Sequence, residues 1–473
     1  MRRLLITWAV LAACMALSAP GALAKRPPPF KQIDHFVVIY LENHSFDNLY
    51  GSFSGANGLS SADPAHTVQV DFSGNALKCL EQNDPQLTSP PLPADACSVA
   101  NGDPFNSHFG NAPFSIDTYV PPNMKTRDLV HRYYQNQVQI DGGKNDRFAI
   151  ASDAKGLSMG VYDTANLPLA EYAKRYTLAD NFFQGAFGGS FLNHQWLIAA
   201  HTPEFANAAK DGGACDIHTV LGANGMPVAG KDLPLTTVQH GDWAVNTIQP
   251  VNPPFAAGTP DCRRLPALSD ATIGDRLTAA GVDWAWYSGG WDDAVAGRPD
   301  PLFQFHHQPF AYYAKYAPGT PGRSHLRDES EFIASARAGE LPAVSFVKPV
   351  GEENEHPGYA DVSTGEMHAV DLIDAIRSSK DWKRTAVIVT YDENGGFWDH
   401  VPPPVVDRWG PGTRVPTLVI SPRARRHFVD HESYDTTSIL ATIERRYGLA
   451  PLTARDAAAN DLRHAFRPSE DGH

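Results

Sequence analysis

The chain has 473 residues, of which 42% are hydrophobic, so it can bury a large globular core. Its formal net charge is -14, with 53 acidic against 39 basic side chains. Proteins that bind nucleic acids along the phosphate backbone carry basic stripes, so this charge argues against a nucleic-acid partner. It does not exclude small phosphorylated molecules, because a metal ion and a few local cations can dominate one pocket.

The first 24 residues predict a secretory signal peptide. Arg2 and Arg3 precede an apolar run, and Ala22-Leu23-Ala24 forms a small-x-small cleavage site. We therefore expect a mature chain, residues 25–473, that is periplasmic or secreted and forms a single catalytic domain. The apolar run is too short to span a membrane, and no later segment is long enough. An alternative is a lipoprotein that is anchored at Cys14.

Short apolar runs along the chain predict buried parallel strands, which read as near-continuous hydrophobic residues. The stretches between them predict helices, including one over residues 364–379 with Met367, Val370, Ile373 and Ile376 on one stripe. This alternation indicates an α/β fold, a doubly wound sheet with helices on both faces. The predicted strands are His35–Leu41, Val282–Tyr287, Val344–Val347, Ala386–Tyr391 and Leu418–Ile420.

Two segments interrupt this alternation. Residues 54–121 and 201–266 are rich in Gly, Pro, Asn and Asp, and each contains two cysteines. Four cysteines remain after signal cleavage, and an even number in an oxidising compartment indicates disulfides. We therefore predict long ordered excursions, held by local disulfides, that cover a functional site. The predicted pairs are Cys79 with Cys97 and Cys215 with Cys262.

Acidic and amide side chains follow two of the predicted strands. Glu42 and Asn43 come after the first strand, and Asp392 and Glu393 come after the strand that ends at Tyr391. Ligands of open α/β sheets bind at the carboxyl ends of strands, and oxygen ligands suit hard or borderline divalent cations. We therefore predict that these four residues bind one divalent ion: Ca, Mg, Mn or Fe. The alternative is that they are ordinary turn and cap residues.

A serine follows consecutive glycines in Gly188-Gly189-Ser190, before an apolar, helix-like run to Ala200. A serine at a helix N-terminus has free backbone N–H groups around it, and phosphate binds well there. Beside a metal ion its hydroxyl can lose a proton and attack phosphorus, which makes Ser190 the candidate nucleophile. The alternative is a plain helix cap. A serine acyl hydrolase is disfavoured, because its Gly-x-Ser-x-Gly elbow requires glycine where Leu192 stands.

Histidines are the third candidate group. Phosphoryl transfer needs cations on the non-bridging oxygens and an acid for the leaving oxygen, and protonated imidazoles supply both at mildly acidic pH. The alternative for each of the 19 histidines is a hydrogen-bonded structural role. The candidates are His131, the adjacent pair His306 and His307, and His356, which follows the third predicted strand.

Together these segments resemble the phosphoesterase family that contains bacterial phospholipases C and acid phosphatase A. The resemblance runs through most of the mature chain. It implies the alkaline-phosphatase-like fold, an α/β/α sandwich with a mostly parallel central sheet. The segments that carry it are Glu42–Asp47, Gly142–Lys144, Asp180–Phe183, Gly188–His194, His306–Phe310 and Thr390–Gly396.

The resemblance also implies roles for the candidate residues. Glu42, Asn43, Asp392 and Glu393 fall on the family's metal ligands, and Ser190 falls on its nucleophile. The phosphate-binding and acid–base histidines fall on His131, on His306 or His307, and on His356.

The sequence around Ser190 indicates the branch. The family's acid phosphatases carry serine in Gly-Gly-Ser-Phe-Leu-Asn-His, as this chain does, whereas its phospholipases C typically carry threonine. The resemblance therefore implies an acid phosphatase that hydrolyses phosphate monoesters through a phosphoserine. The alternatives are a phospholipase C that acts on phosphodiester lipids and a non-catalytic protein that binds a metal or phosphate. Four aromatic residues suit either a choline cage or the core: Trp286, Trp291, Tyr312 and Tyr313.

Overall fold

A computed structural model of the protein describes residues 30–81, 109–205, 217–231, 233, 235–238 and 241–467. The predicted signal peptide and Cys14 lie outside these residues. So do Cys97 and Cys215, which leaves both disulfide pairings as predictions. Within the described ranges, no helix combines the length and the apolar composition that a bilayer crossing requires.

A sheet of eight strands forms the centre of the described structure. In chain order its strands are β1 (His35–Leu41), β2 (Thr177–Ala179), β3 (Trp284–Ser288), β4 (Leu326–Asp328), β5 (Val344–Lys348), β6 (Thr385–Tyr391), β7 (Thr417–Ile420) and β8 (Phe428–Asp430). Their order across the sheet is β4-β3-β5-β1-β6-β7-β2-β8. Most neighbouring strands run parallel, as predicted.

Strand β1 lies in the middle of the sheet, between β5 and β6, and runs parallel to both. Leu41, the last residue of β1, pairs with Tyr391, the last residue of β6. The two strands therefore end at the same level, and the residues that follow them emerge side by side. This confirms the predicted neighbourhood of the two acidic segments.

One predicted strand runs in the opposite direction. Residues 418–420 were expected to continue the parallel sheet, but β7 is antiparallel to both β6 and β2. The segment between β6 and β7 stays at the carboxyl end of β6, so the chain re-enters the sheet from that edge. A parallel β7 would require a crossover connection to the opposite edge.

Helices flank the sheet in two groups: α6 packs with α7 and α11, and α9 packs with α10. Every residue of β5 and β6 is buried, and successive side chains of a strand point to opposite faces, so both faces are covered. The α/β/α sandwich is thereby confirmed. The helices are α1 (Phe46–Tyr50), α2 (Pro64–Thr67), α3 (Tyr133–Ile140), α4 (Phe148–Ala151), α5 (Ala170–Arg175), α6 (Ser190–Ala199), α7 (Ile273–Ala279), α8 (Trp291–Val295), α9 (Glu329–Ala338), α10 (Val362–Arg377), α11 (Thr436–Tyr447) and α12 (Ala454–Ala458).

The predicted helix over residues 364–379 is α10, shifted by two residues. Its predicted apolar stripe is wrong at Met367, whose exposed fraction is 55%. The buried face instead includes Glu366 and Ala369, together with Ile373 and Ile376. The acidic residue Glu366 thus occupies the core position that the apolar pattern assigned to Met367.

Short paired strands, most of them involving the two excursions, also lie outside the main sheet. These pairs are Phe114–Ser115 with Gly160–Val161, Phe182–Phe183 with Tyr434–Asp435, Leu235–Val238 with Gly241–Ala244, and Gln249–Pro250 with Arg264–Leu265. The four aromatic residues considered for a choline cage are buried, which confirms their alternative role in the core: Trp286, Trp291, Tyr312 and Tyr313.

Candidate active site

Three adjacent strands deliver polar residues to one edge of the sheet. Glu42 and Asn43 follow β1, Asp392 and Glu393 follow β6, and all four are fully buried. Lys348, the last residue of β5, lies between them. Its Nζ is 2.7 Å from Glu42 Oε1 and 4.0 Å from Asp392 Oδ2. The structure therefore places the four predicted metal ligands at one edge of the sheet, where a buried lysine that the sequence had not indicated lies near Glu42 and Asp392.

The four predicted ligands present oxygens that lack a hydrogen-bond donor. Among the described residues, Glu42 Oε2, Asn43 Oδ1, Asp392 Oδ2 and Glu393 Oε1 are buried and accept no hydrogen bond. Buried polar atoms are almost always paired, so such a group requires an explanation. Carboxylate and amide oxygens are the usual ligands of Mg²⁺, Ca²⁺ and Mn²⁺, and these residues therefore fit the predicted cation.

The pKa values of the carboxyl groups in this cluster are shifted in opposite directions. Burial raises the pKa of Asp392 and Glu393 well above their ordinary values. Burial would also raise the pKa of Glu42, but the neighbouring His307 and Lys348 hold it well below its ordinary value. A divalent ion would supply the positive charge that the other two carboxylates lack.

Ser190 is the first residue of α6, and it is buried beside this cluster. Burial raises the pKa of Asp392, and the nearby Ser190 hydroxyl acts in the opposite direction on that carboxyl. The N-cap residue of α6 is Gly189, and no side chain caps the helix there. Ser190 is therefore not the plain cap that was considered as an alternative. Its hydroxyl remains directed at the acidic cluster.

Several side chains hold the loop before Ser190, among them that of Asn193. Its Oδ1 accepts a hydrogen bond from Ala186 N at 2.9 Å, and its Nδ2 donates to Gly188 O at 3.2 Å. The loop also packs closely against the segment that carries His131. A Cβ on Gly188 would lie 2.4 Å from Tyr133 N, and one on Gly189 would lie 2.7 Å from His131 O. The glycines thus allow His131 to approach the nucleophile.

His131 lies near both segments that carry the predicted metal ligands. Its Nε2 is 3.4 Å from Asn43 Nδ2 and 3.6 Å from Glu393 Oε1. Its Nδ1 is 2.5 Å from the Leu129 carbonyl oxygen. A neutral ring bound in this way donates from Nδ1 and keeps a lone pair on Nε2, where Asn43 lies.

The same arrangement recurs in two other histidines. His194 Nδ1 lies 2.7 Å from the Ser190 carbonyl oxygen, and His356 Nδ1 lies 2.7 Å from the Pro357 carbonyl oxygen. In each neutral ring the backbone carbonyl selects the tautomer and leaves Nε2 as the reactive nitrogen. The ring of Tyr359 stacks on His356 with a centroid separation of 4.0 Å.

One cavity of about 380 Å³ opens above this cluster. All five predicted catalytic residues line it: Ser190, His131, His306, His307 and His356. The four predicted metal ligands do not line it, because they are fully buried. The cavity therefore gives a small phosphorylated group access to the serine and the histidines together.

The expectation of protonated imidazoles at mildly acidic pH is not met in this structure. Burial lowers the pKa of His307 to about 4 and lowers the pKa of His306 and His356 below its ordinary value. Desolvation disfavours the charged ring, and nearby Lys348 adds to this effect at His306 and His307. Burial therefore favours the neutral form of these three side chains.

Two buried residues of the site were missed from sequence. His194 lies one helical turn after Ser190, and its ring is 5.0 Å from that of His307. The i, i+4 spacing from the serine is a signal that could have identified it. Lys348 directly follows the predicted third strand, and extending that strand by one residue would have brought it to the active edge.

A buried ionic network holds the two ligand-bearing loops together. Arg414 Nη2 donates to Asp47 Oδ1 at 3.0 Å, and its Nε donates to Asp399 Oδ1 at 3.0 Å. His400 Nδ1 is 2.6 Å from Asp47 Oδ2. Asp47 lies in α1, directly after the loop that follows β1, and Asp399 lies in the loop after β6. Arg414 therefore ties together the segments that carry Glu42 and Glu393.

A family model and several known proteins match most of this chain. Residues 33–450 match the Phosphoesterase family. Phospholipase C A of Mycobacterium tuberculosis is 27% identical over 93% of this chain and 78% of its own length. Non-hemolytic phospholipase C of Pseudomonas aeruginosa is 24% identical over 95% of this chain and 59% of its own length. Among solved structures, an alkaline phosphatase superfamily protein from Vibrio parahaemolyticus is 10% identical, with 64% of each chain covered and a TM-score of 0.33.

Proposed function

Since the chain belongs to the phosphoesterase family and is a phosphoric ester hydrolase, we propose that it acts through Ser190 at a metal centre. One observation carries this proposal. Ser190 begins α6 beside the buried Asp392 carboxyl, in a cavity that also holds four histidines. The nucleophile and the acid–base groups thus share one cavity, and the proposed cation site lies behind the nucleophile, next to Asp392.

The proposed metal ligands are Glu42, Asn43, Asp392 and Glu393. Their donor-free buried oxygens support this assignment. A divalent ion bound there would polarise the phosphoryl oxygens and lower the pKa of the serine hydroxyl.

The chain's own residues account for the remaining steps. Backbone N–H groups at the start of α6 stabilise charge on the non-bridging oxygens. Ser190 Oγ releases its proton to solvent and bonds to phosphorus as the bond to the leaving oxygen breaks. The product is a seryl phosphoester: phosphoserine from a monoester, or its head-group ester from a diester. His356 gives a proton from Nε2 to the leaving oxygen. Its ring acquires that proton when the anionic substrate enters the cavity, because the negative charge favours the imidazolium. Water then hydrolyses the seryl phosphoester.

We propose a phospholipid phosphodiester as the leading substrate class, which makes the protein a phospholipase C. The support is the relatives of this name that align with 93% of the chain. The second candidate is an acid phosphatase that hydrolyses small monoesters. It is favoured by the nucleophile itself, because Ser190 lies in the Gly-Gly-Ser-Phe-Leu-Asn-His form of the acid phosphatase branch.

A substrate panel separates these candidates. The purified protein, with and without chelator, is assayed on phosphatidylcholine vesicles, bis-p-nitrophenyl phosphate and p-nitrophenyl phosphate. For a phospholipase C we expect diacylglycerol release and a preference for diesters of about tenfold or more in kcat/KM. A comparable preference for p-nitrophenyl phosphate selects the acid phosphatase. Turnover that is unaffected by chelator, or no turnover of any ester, would overturn the proposed metal-dependent chemistry.

A further inference from the structure

Lys348 is a fully buried lysine that points into the metal-binding cluster. Its Nζ is 2.7 Å from Glu42 Oε1, 4.0 Å from Asp392 Oδ2 and 3.5 Å from the Leu41 carbonyl oxygen. It also lies 5.3 Å from the centre of the Tyr40 ring. Its position is set by the sheet, since β5 runs beside β1. The ammonium is thus a fixed cation among oxygen atoms.

A second set of metal-type ligands surrounds the same place. Ligand atoms of Glu42, His194 and His307 lie within 4.8 Å of one another, and all three side chains are buried. His194 Nε2 makes no hydrogen bond, because the Ser190 carbonyl holds the opposite ring nitrogen. His307 Nε2 contacts Glu42 Oε1 at 2.5 Å. Two imidazole nitrogens and one carboxylate are a donor set that binds Zn²⁺ or Co²⁺.

We propose that the Lys348 ammonium takes the place of a second metal ion, and that Glu42, His194 and His307 form a latent metal site that Lys348 keeps closed. This inference rests on the metal centre of the proposed function. It explains why the buried Lys348 contacts the Glu42 carboxylate, to which a second metal ion would otherwise bind.

The charges of the cluster support this assignment. Glu42, Asp392 and Glu393 contribute three negative charges when they bind a metal, and Lys348 contributes one positive charge. The two negative charges that remain are offset by one divalent ion, so the site binds a single ion. Without the ammonium, the cluster has an uncompensated negative charge and an open position next to two imidazoles. A second cation then becomes favourable, because buried charge is strongly destabilising unless it is paired.

The test is the number of metal ions bound per chain. Metal-free wild-type protein, Lys348→Ala and Lys348→Arg are dialysed against Zn²⁺ or Co²⁺, and the bound metal is measured by elemental analysis. We expect one ion in the wild type and in Lys348→Arg, and two ions in Lys348→Ala. The Co²⁺ form of Lys348→Ala should gain visible absorption from histidine coordination. The double variant Lys348→Ala/His194→Ala should return to one ion.

The outcomes distinguish this inference from the proposed function. If the wild type binds no ion, the metal centre itself is wrong. If the wild type binds one ion and Lys348→Ala also binds one, with an unchanged Co²⁺ spectrum, the latent site is wrong and the metal centre stands. Two ions in the wild type would likewise overturn the role of Lys348. Lys348→Ser leaves the same space with a polar end, and it replaces Lys348→Ala if circular dichroism shows that the latter does not fold.

Discussion

Gly395 lies directly against the backbone of Asn43: a Cβ placed on Gly395 would come 2.0 Å from the Asn43 carbonyl oxygen. Gly395 also has a φ of +60°, which glycine adopts without strain. The loops after β1 and β6 therefore touch through their backbones, just beyond the residues proposed to bind the metal. Asn43 itself has a φ of 115°, so its conformation depends on this contact.

Substitution at Gly395 should therefore weaken metal binding. In Gly395→Ala the methyl group displaces the Asn43 backbone, and we expect the affinity for Mn²⁺ to fall by about tenfold or more and the free energy of unfolding to fall by about 2 kcal/mol. Calorimetric titration and urea denaturation measure the two effects. Gly281→Ala is the matched control, because Gly281 has a φ of +68° but no atom near its missing Cβ. Equal metal affinity in the two variants would contradict the prediction.

Ser190→Ala should abolish turnover while the fold is retained. We expect kcat to fall by about a thousandfold or more, because the phosphoserine cannot form. The melting temperature and the bound metal should stay close to those of the wild type, since the hydroxyl contributes little packing. Exposed Ser433→Ala is the control for a serine removed elsewhere. Near-normal activity of Ser190→Ala would remove this residue from the mechanism.

Arg414→Lys should loosen both ligand-bearing loops. Lysine keeps the charge but has no planar fork with which to contact Asp47 and Asp399 together. We expect the free energy of unfolding to fall by about 3 kcal/mol, as for other broken buried pairs, and metal affinity to fall with it. The control is Arg463→Lys, whose side chain is 59% exposed and whose effect should be about 0.5 kcal/mol or less. A similar small effect at both positions would rule out a positioning role for Arg414.

Glu366 should make the protein less stable at alkaline pH. Burial raises its pKa from an ordinary 4.5 to about 8 in the folded state. The folded protein therefore holds a proton that the unfolded chain releases, and this contribution to stability is full below pH 4.5 and is lost as the pH rises through about 8. Its Oε2 accepts a hydrogen bond from Leu169 N at 2.7 Å, which the amide oxygen of glutamine can also accept.

Glu366→Gln tests this titration, because it removes the proton equilibrium and keeps the shape. Between about pH 5 and about pH 9, the wild type should lose up to about 4 kcal/mol of unfolding free energy relative to the variant. Urea denaturation across this pH range gives both curves. If the two curves remain parallel, burial does not hold Glu366 in its protonated form.

Much of the active edge could be predicted from residues next to apolar runs. The position of Glu42 and Asp392 at one edge of the sheet follows from sequence, because a buried parallel strand is a local pattern and the residues after it lie at that edge. The direction of β7, in contrast, could not be predicted from a local pattern. That direction depends on the edge from which the chain re-enters the sheet after residue 416. The composition of the strand carries no information about that edge.

Other features depend on tertiary contacts that no local pattern carries. Arg414 meets Asp47 and Asp399 only after the sheet has formed, so nothing in their sequence neighbourhoods links them. The same holds for the low pKa of His307, which results from complete burial near Lys348. The residue types indicated metal binding and acid–base chemistry, which remain predictions, whereas the electrostatics of the site required the packed structure.

The central position of β1 has a consequence for biosynthesis. Lys348 and Leu41 are neighbours across the sheet but lie 307 residues apart in the chain. The strand that bears Glu42 is therefore made early, and its partners β5 and β6 emerge from the ribosome much later. Until then its hydrophobic edges have no native partner and are open to aggregation or to a chaperone. A nascent chain thus has no working metal centre until β6 has been made and has paired with β1.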